Sequence, residues 1–243
     1  RLNYSYEDKY LLTATVRRDG SSRFHKNHRW GTFPSFSLGW RISEENFLKS
    51  VKWINMMKLR FSWGALGNNA VDNYEYQSVY NKDNYILGNA VMQGLAQTQL
   101  ANAMVSWETT YVTNIGLDFN LFGSKLDGTI DVFNKDTRDI LIDLPAPLLV
   151  GNASIPTQNA ARVRNKGIEM NLKWNHKIGK VDYFVGGNFT FIDNEVTRFK
   201  GEERSITGTN MIQEGYPINI QYVLAVDRIL QTDEDMLFVE KMI

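Results

Sequence analysis

The feature that most limits how this chain can fold is a two-residue alternation of apolar and polar side chains. Tyr10, Leu12, Ala14 and Val16 alternate with Leu11, Thr13, Thr15 and Arg17. Phe36, Leu38, Trp40 and Ile42 alternate with Ser35, Ser37, Gly39 and Arg41. The same period returns around Met57–Gly64, Thr110–Phe119, Gly167–Trp174 and Asp182–Phe191. Leu11, Val112 and Phe184 break it locally. A period of two puts successive side chains on opposite faces of a strand, so the chain is expected to be all-β, with one greasy and one wet face.

Alternation alone fits a soluble sandwich as well as a membrane barrel. Two features favour the barrel. Arg, Lys, Glu and Asp stand mid-strand on the wet face among Gly, Ser and Thr, a mixture that suits a water-filled lumen. Trp40, Trp63 and Trp174 fall near strand ends on the apolar face, where indole suits a membrane interface. No run of about 18 apolar residues exists, so a membrane-spanning helix is not expected. Barrel strands leave no such run, so the mean hydropathy of −0.35 is silent on the point.

Connection lengths sharpen the expectation. Glu7–Lys9, Gly123–Lys125 and Lys177–Lys180 read as tight turns. Gly20–Gly31, Ala65–Ser106, Thr137–Arg164 and Asp193–Tyr216 read as long links. Tight and long connections alternate, as in outer-membrane barrels with short periplasmic turns and long extracellular loops. Ser43–Asn55 is the exception on the tight side. Phe47, Leu48, Val51 and Ile54 have roughly helical spacing there, so a short helix capped by Ser43 is expected.

Lys and Arg number 27, as do Asp and Glu, so nothing electrostatic points to nucleic acid. With no cysteine, disulfides, thiol nucleophiles and Cys-bound zinc are excluded. His25 and His28 lack supporting ligands, and Asp233–Asp235 reads as a solvated acidic turn, so no metal or cofactor is expected. No triad or phosphate loop stands out, and catalysis is not expected.

Several motifs in order carry a resemblance. Arg17-Arg18-Asp19-Gly20-Ser21-Ser22-Arg23-Phe24, then Arg29-Trp30-Gly31-Thr32-Phe33-Pro34-Ser35, then Gly39-Trp40-Arg41-Ile42-Ser43-Glu44-Glu45 come first. Lys58-Leu59-Arg60 with Trp63-Gly64, Trp107-Glu108-Thr109-Thr110 with Asn114-Ile115-Gly116-Leu117-Asp118, Asn165-Lys166-Gly167-Ile168-Glu169 and Gly215-Tyr216-Pro217-Ile218 follow. Together they resemble the barrel of SusC/RagA-type TonB-dependent outer-membrane transporters, over nearly the whole chain. Ala161 departs from the family pattern, which has glycine four residues before Asn165.

The resemblance implies an antiparallel transmembrane β-barrel section of roughly nine or ten strands over residues 1–243. The plug, the TonB-contacting region and the closing strand would lie elsewhere in a longer protein. It implies TonB-dependent import of a nutrient across the bacterial outer membrane. The expected substrate is a glycan or oligosaccharide, with peptide also possible. A SusD-like surface lipoprotein, the TonB complex and membrane lipid are the implied partners. The other readings are a β-rich surface binding or adhesion protein that does not transport, and a soluble β-sandwich enzyme.

Candidate ligand residues lie in the long links. Arg23 offers a guanidinium, and Trp30 a ring to stack on a sugar face. Tyr74, Tyr76 and Tyr80 stand among Asn73, Asn81 and Asn84, and rings with amides suit a carbohydrate. Each also has a plain structural reading, as a charge network or as packing of a folded loop.

Overall fold

The computed structural model describes residues 1–144, 148–151, 153–201 and 204–224. In chain order the strands are β1 (Leu2–Tyr6), β2 (Tyr10–Gly20), β3 (Trp30–Arg41), β4 (Ile54–Asn68), β5 (Val79–Leu87), β6 (Ala90–Gln99), β7 (Glu108–Leu121), β8 (Leu126–Ile142), β9 (Gln158–Ile178), β10 (Val181–Phe199), β11 (Arg204–Thr207), β12 (Asn210–Gln213) and β13 (Ile220–Gln221). Eight form one antiparallel sheet in the order β1-β2-β3-β4-β7-β8-β9-β10. β5 and β6 pair as a separate hairpin, and β11–β13 as a small third sheet. Every wall strand therefore neighbours the next wall strand in sequence, as in an up-and-down barrel wall.

Register turns the alternation into a continuous surface. Tyr4 lies opposite Leu12, Leu12 opposite Leu38, and Leu38 opposite Phe61. The row continues through Ile115, Val132, Ile168 and Phe191. Eight strands thus contribute eight apolar residues to one continuous row on one face. The neighbouring row on the other face runs Leu11, Gly39, Arg60, Gly116, Asp131, Glu169 and Thr190. A slip of one residue in any pairing would push charge into the apolar row, so burial of that face fixes the register.

Aromatic rings cover the glycines. A Cβ added at Gly128 would clash with the Phe119 ring, and one at Gly167 would lie 2.9 Å from Phe133 Cζ. Gly67 and Gly31 make room for Phe33 in the same way. Rings over glycines restore packing that a bare backbone would lose.

The tight turns form as the sequence implies. β1 and β2 meet at Glu7–Lys9, where Glu7 and Asp8 both have φ of 50°. β9 and β10 meet at Gly179-Lys180, with Gly179 at φ 60°. The turn after β7 places Phe122 and Ser124 at positive φ. Asn55 Oδ1 holds that turn by accepting from the backbone of Gly123 (2.8 Å) and Ser124 (3.3 Å), and Trp53 stacks on Phe122.

The expected helix over Ser43–Asn55 does not form. Ile42–Glu44 is a single 3₁₀ turn preceded by Arg41, with no side-chain cap, and isolated turns follow it. Of the apolar residues there, Ile54 enters β4 opposite Leu121, while Phe47 stays 65% exposed. Too few residues separate β3 from β4 to repay helix nucleation. Glu45 bridges this segment to the wall: its Oε1 accepts from Tyr10 Oη (2.5 Å) and Trp40 Nε1 (3.1 Å). The Tyr10 bond first, then the Trp40 bond, hold the Glu45 carboxyl below its usual value. Its contribution to order is present at neutral pH and is lost as pH falls through that lowered value. Acid titration of Trp40 fluorescence in the full-length protein is expected to show a transition that Glu45→Gln removes. An identical titration in E45Q would contradict this contact.

The long links are shorter than the sequence implies, because strands run on past the alternating segment. β8 continues to Ile142, β9 begins at Gln158, and β10 reaches Phe199. Bulges after Thr137 and after Val196 re-aim these ends. Ala161 sits inside β9. Its methyl is buried with Val163, Val196 and Phe199, a cluster also touched by Ile212 and Ile218. Asp233–Asp235 lies outside the described residues.

Candidate functional site

The long-loop end of the wall carries the only extensive burial among the described residues. Phe24, Val71 and Val105 form an apolar cluster from three different connecting segments, with Trp107 and Leu141 packed against it. Phe24 and Val105 are wholly inaccessible. Trp107 meets Phe24 at 5.3 Å and Phe33 at 5.4 Å, and its Nε1 donates to the Arg29 carbonyl (3.1 Å). Phe33 belongs to the polar-face register of β3, so the ring points into the concavity that a barrel would enclose. The connecting segments therefore fold back over the mouth and do not wave free.

Hydrogen bonds fasten this cap. Glu75 is buried and accepts from the Thr157 backbone (2.7 Å), and Asp143 lies 2.7 Å from the Thr157 hydroxyl. Asn159 accepts from Ser106 N (2.9 Å) and donates to the carbonyls of Ser106 and Asp139. Burying a carboxyl group is tolerated when it is hydrogen-bonded in this way. Glu75 sits among the tyrosines of the sequence motif, yet nothing local marks it. Its partners are 82 residues away.

Three of the five candidate residues belong to this cap. Arg23 is exposed, and its Nη1 donates to the Asn69 carbonyl (3.3 Å), while Asn69 Nδ2 donates to Ser21 Oγ (3.0 Å). Tyr74 and Tyr76 have ring centroids 6.5 Å apart, and His25 packs edge-on to Tyr76 at 6.0 Å. Tyr74 takes a left-handed φ of 66° and is 61% exposed. The arrangement presents two phenols, an imidazole and a guanidinium on the outer rim of the mouth. Tyr80 stands apart on β5, exposed on the β5–β6 hairpin, whose base is bridged to Ser154 through Gln99. Trp30 also stands apart. Its register puts it on the apolar face with Phe36 and Trp40, and the Arg18 guanidinium lies over its ring at 5.2 Å.

Trp30 and Trp40 set a scale. They are ten residues apart on one face of β3, which is ~33 Å of strand. At a barrel tilt of ~40° that is ~25 Å of height, the thickness of the apolar band of an outer-membrane barrel. Indoles at both edges of a band this tall mark its two interfaces.

The polar face at mid-height holds a clamp. Arg60 Nε lies 2.9 and 2.8 Å from the two Asp118 oxygens, and its Nη2 lies 3.0 Å from both Asp131 oxygens. Asn114 Nδ2 adds a bond to Asp131 (2.8 Å). Gly116 lies opposite Arg60 and lets the guanidinium reach across to β8; a Cβ there would stand 2.6 Å from Nη2. Among the described residues no group of three His, Cys, Asp or Glu is gathered as a metal site would need.

An antiparallel wall with an apolar band outside, charge inside, tight turns at one end and folded loops at the other defines a section of transmembrane β-barrel. Residues 1–222 match the family described as TonB-dependent receptor-like, β-barrel. The chain belongs to this family, as a segment of its SusC/RagA type. It is 37% identical to TonB-dependent receptor P39 of Formosa agariphila over 98% of its own length and 23% of that protein. It is 37% identical to TonB-dependent receptor SusC of Bacteroides thetaiotaomicron over 84% of its length and 21% of that protein. The structure of the RagAB peptide transporter superposes with a TM-score of 0.80 at 28% identity, covering 88% of this chain and 24% of the other. The chain thus spans about a quarter or less of the relatives it matches.

Proposed function

We propose that this segment forms part of the wall and outer mouth of a TonB-dependent importer in the bacterial outer membrane. The observation that carries the reading is the apolar row shared by eight strands, backed by a charged inner face and capped by folded loops. The family is one of TonB-dependent receptors, which supports energy coupling through regions outside this segment. The names SusC and RagAB among the relatives support a surface lipoprotein of SusD type as the partner at the loop end. No covalent step is assigned to the segment.

The substrate read from the mouth is an oligosaccharide. Tyr74 and Tyr76 offer ring faces for sugar rings, and Arg23 and His25 offer donors for hydroxyls. Peptide is the competing substrate, since RagAB is named a peptide transporter. Energy-dependent uptake of labelled oligosaccharides and of labelled peptides, measured with the full-length receptor, decides between them. The triple change R23A/Y74A/Y76A is expected to lower oligosaccharide uptake about ten-fold, as two ring contacts and one hydrogen bond would. Loss of peptide uptake alone would reverse the substrate assignment. Unchanged uptake of both classes would remove these residues from the site.

A further inference from the structure

The two rims of the apolar band differ in chemistry. At the short-turn rim the face carries aromatic rings: Tyr10, Trp40, Trp174 and Tyr183. At the long-loop rim of β8–β10 the same face turns charged. Five cations stand there, Arg138, Arg162, Arg164, Lys166 and Arg198, against four carboxylates, Asp136, Asp139, Asp193 and Glu195.

Register shows that these groups point outward. Lys166 and Arg164 lie two and four positions beyond Ile168 on β9, on the side of the apolar row. Val163 and Ala161 alternate with them and are buried on the opposite side. Arg198 lies directly opposite Arg162 and is exposed. Heights follow from strand geometry. Two residues of strand are ~7 Å, or ~5 Å of height at a tilt of ~40°. Counted from Trp174 at the short-turn rim, ten residues of β9 span ~25 Å of height and end at Arg164, so Arg164 stands at the top of the band and Lys166 ~5 Å below it. Headgroups occupy roughly 5–8 Å on each side of the hydrocarbon core. Arg164 and the cations beyond it sit at that depth, and the long Lys166 side chain reaches up to it.

The cations are also arranged. Asp136, with its side chain 8% exposed, accepts from Arg162 Nε (2.7 Å) and from Arg138 Nε (2.9 Å). One carboxylate thus fixes two guanidiniums, and Arg138 lies over the Tyr111 ring at 4.6 Å. Lys166 pairs with Asp193 in an exposed contact of 3.1 Å, which a stronger anion can displace. Among the described residues Arg164 and Arg198 have no carboxylate within salt-bridge distance.

We propose that this rim binds the phosphate groups of outer-leaflet lipid, anchoring that side of the barrel to phosphorylated lipid. Continuity with the lipid-facing band selects lipid over a soluble anion or a protein. Guanidiniums suit phosphate because they donate in pairs. The inference rests on the outer-membrane reading above, and the experiment separates the two.

The test uses the full-length receptor, purified in detergent and titrated with bisphosphorylated lipid A or with the same lipid after phosphatase treatment. Bound lipid is counted by native mass spectrometry. The wild type is expected to prefer the phosphorylated form. A rim cation is worth about five-fold in affinity for an anionic lipid surface, so Arg164→Gln/Lys166→Gln/Arg198→Gln is expected to lose on the order of 100-fold. Arg198→Gln alone, at the exposed strand end, is expected to lose about five-fold and serves if the triple variant does not fold. Equal binding of both lipids by the wild type, or unchanged affinity in the folded variants, overturns the proposal. A receptor that does not fractionate with the outer membrane overturns the membrane reading instead, and the proposal with it.

Discussion

Ile115→Arg is expected to destabilise the full-length barrel by about 2–4 kcal/mol, the cost of an arginine facing lipid near mid-membrane. Ile115 lies on β7 in the middle of the apolar row, flanked by Phe61 and Val132, and its side chain is half exposed in the isolated wall. In the membrane that exposure is to lipid, where a guanidinium has no water and no partner. Thr129→Lys provides the contrast. Thr129 is one strand away but on the charged face, level with Asp118 and Asn171. Its change is expected to stay within about 1 kcal/mol, since lumen positions tolerate charge. Urea unfolding in lipid vesicles, read by heat-modifiable mobility, compares the two. Equal effects would mean that the faces are assigned wrongly.

The wall was legible in the sequence because its governing rule is local. Leu12, Leu38 and Phe61 announce their face by what stands one residue to either side, and the register then follows from the need to align those faces. The same rule explains the misreading of strand ends. Lys166, Arg164 and Arg162 continue the alternation of β9, but the outward side there is charged rather than apolar, so the apolar signal ends at Ile168 although the strand runs on. Ser43–Asn55 failed differently. Its apolar spacing matches a helix, but the short span and the Glu45 contacts to Tyr10 and Trp40 favour a string of turns.

The mouth was only partly legible. Arg23, Tyr74 and Tyr76 stood out by residue type, and all three lie in the connecting segments at the loop end. Phe24, Val71, Val105 and Trp107, which hold the cap together, come from segments that meet only in three dimensions. Glu75 is likewise defined by Thr157, far along the chain. Trp30 shows the limit of residue type as a guide. An indole suits a sugar face and a membrane interface equally, and only the register of β3 places it on the apolar side.

The inner face makes the second large prediction. Arg60→Met removes one cation and leaves Asp118 and Asp131 facing each other around Gly116. Breaking a buried pair costs about 3–5 kcal/mol. These side chains keep 31%, 22% and 19% of their surface, so the expected loss lies at the low end, about 2–3 kcal/mol. The cost comes from the stranded carboxylates rather than from any lost attraction. Neutralising them should therefore restore stability without restoring the clamp. The triple variant R60M/D118N/D131N is expected to recover most of the loss, because the amides are isosteric and Asn114 can still reach position 131. The same urea unfolding assay measures both. A single variant as stable as the wild type would show that solvent already screens the clamp. A triple variant no better than the single would show that Arg60 acts through its own packing across Gly116, and not by balancing charge on the lumen wall.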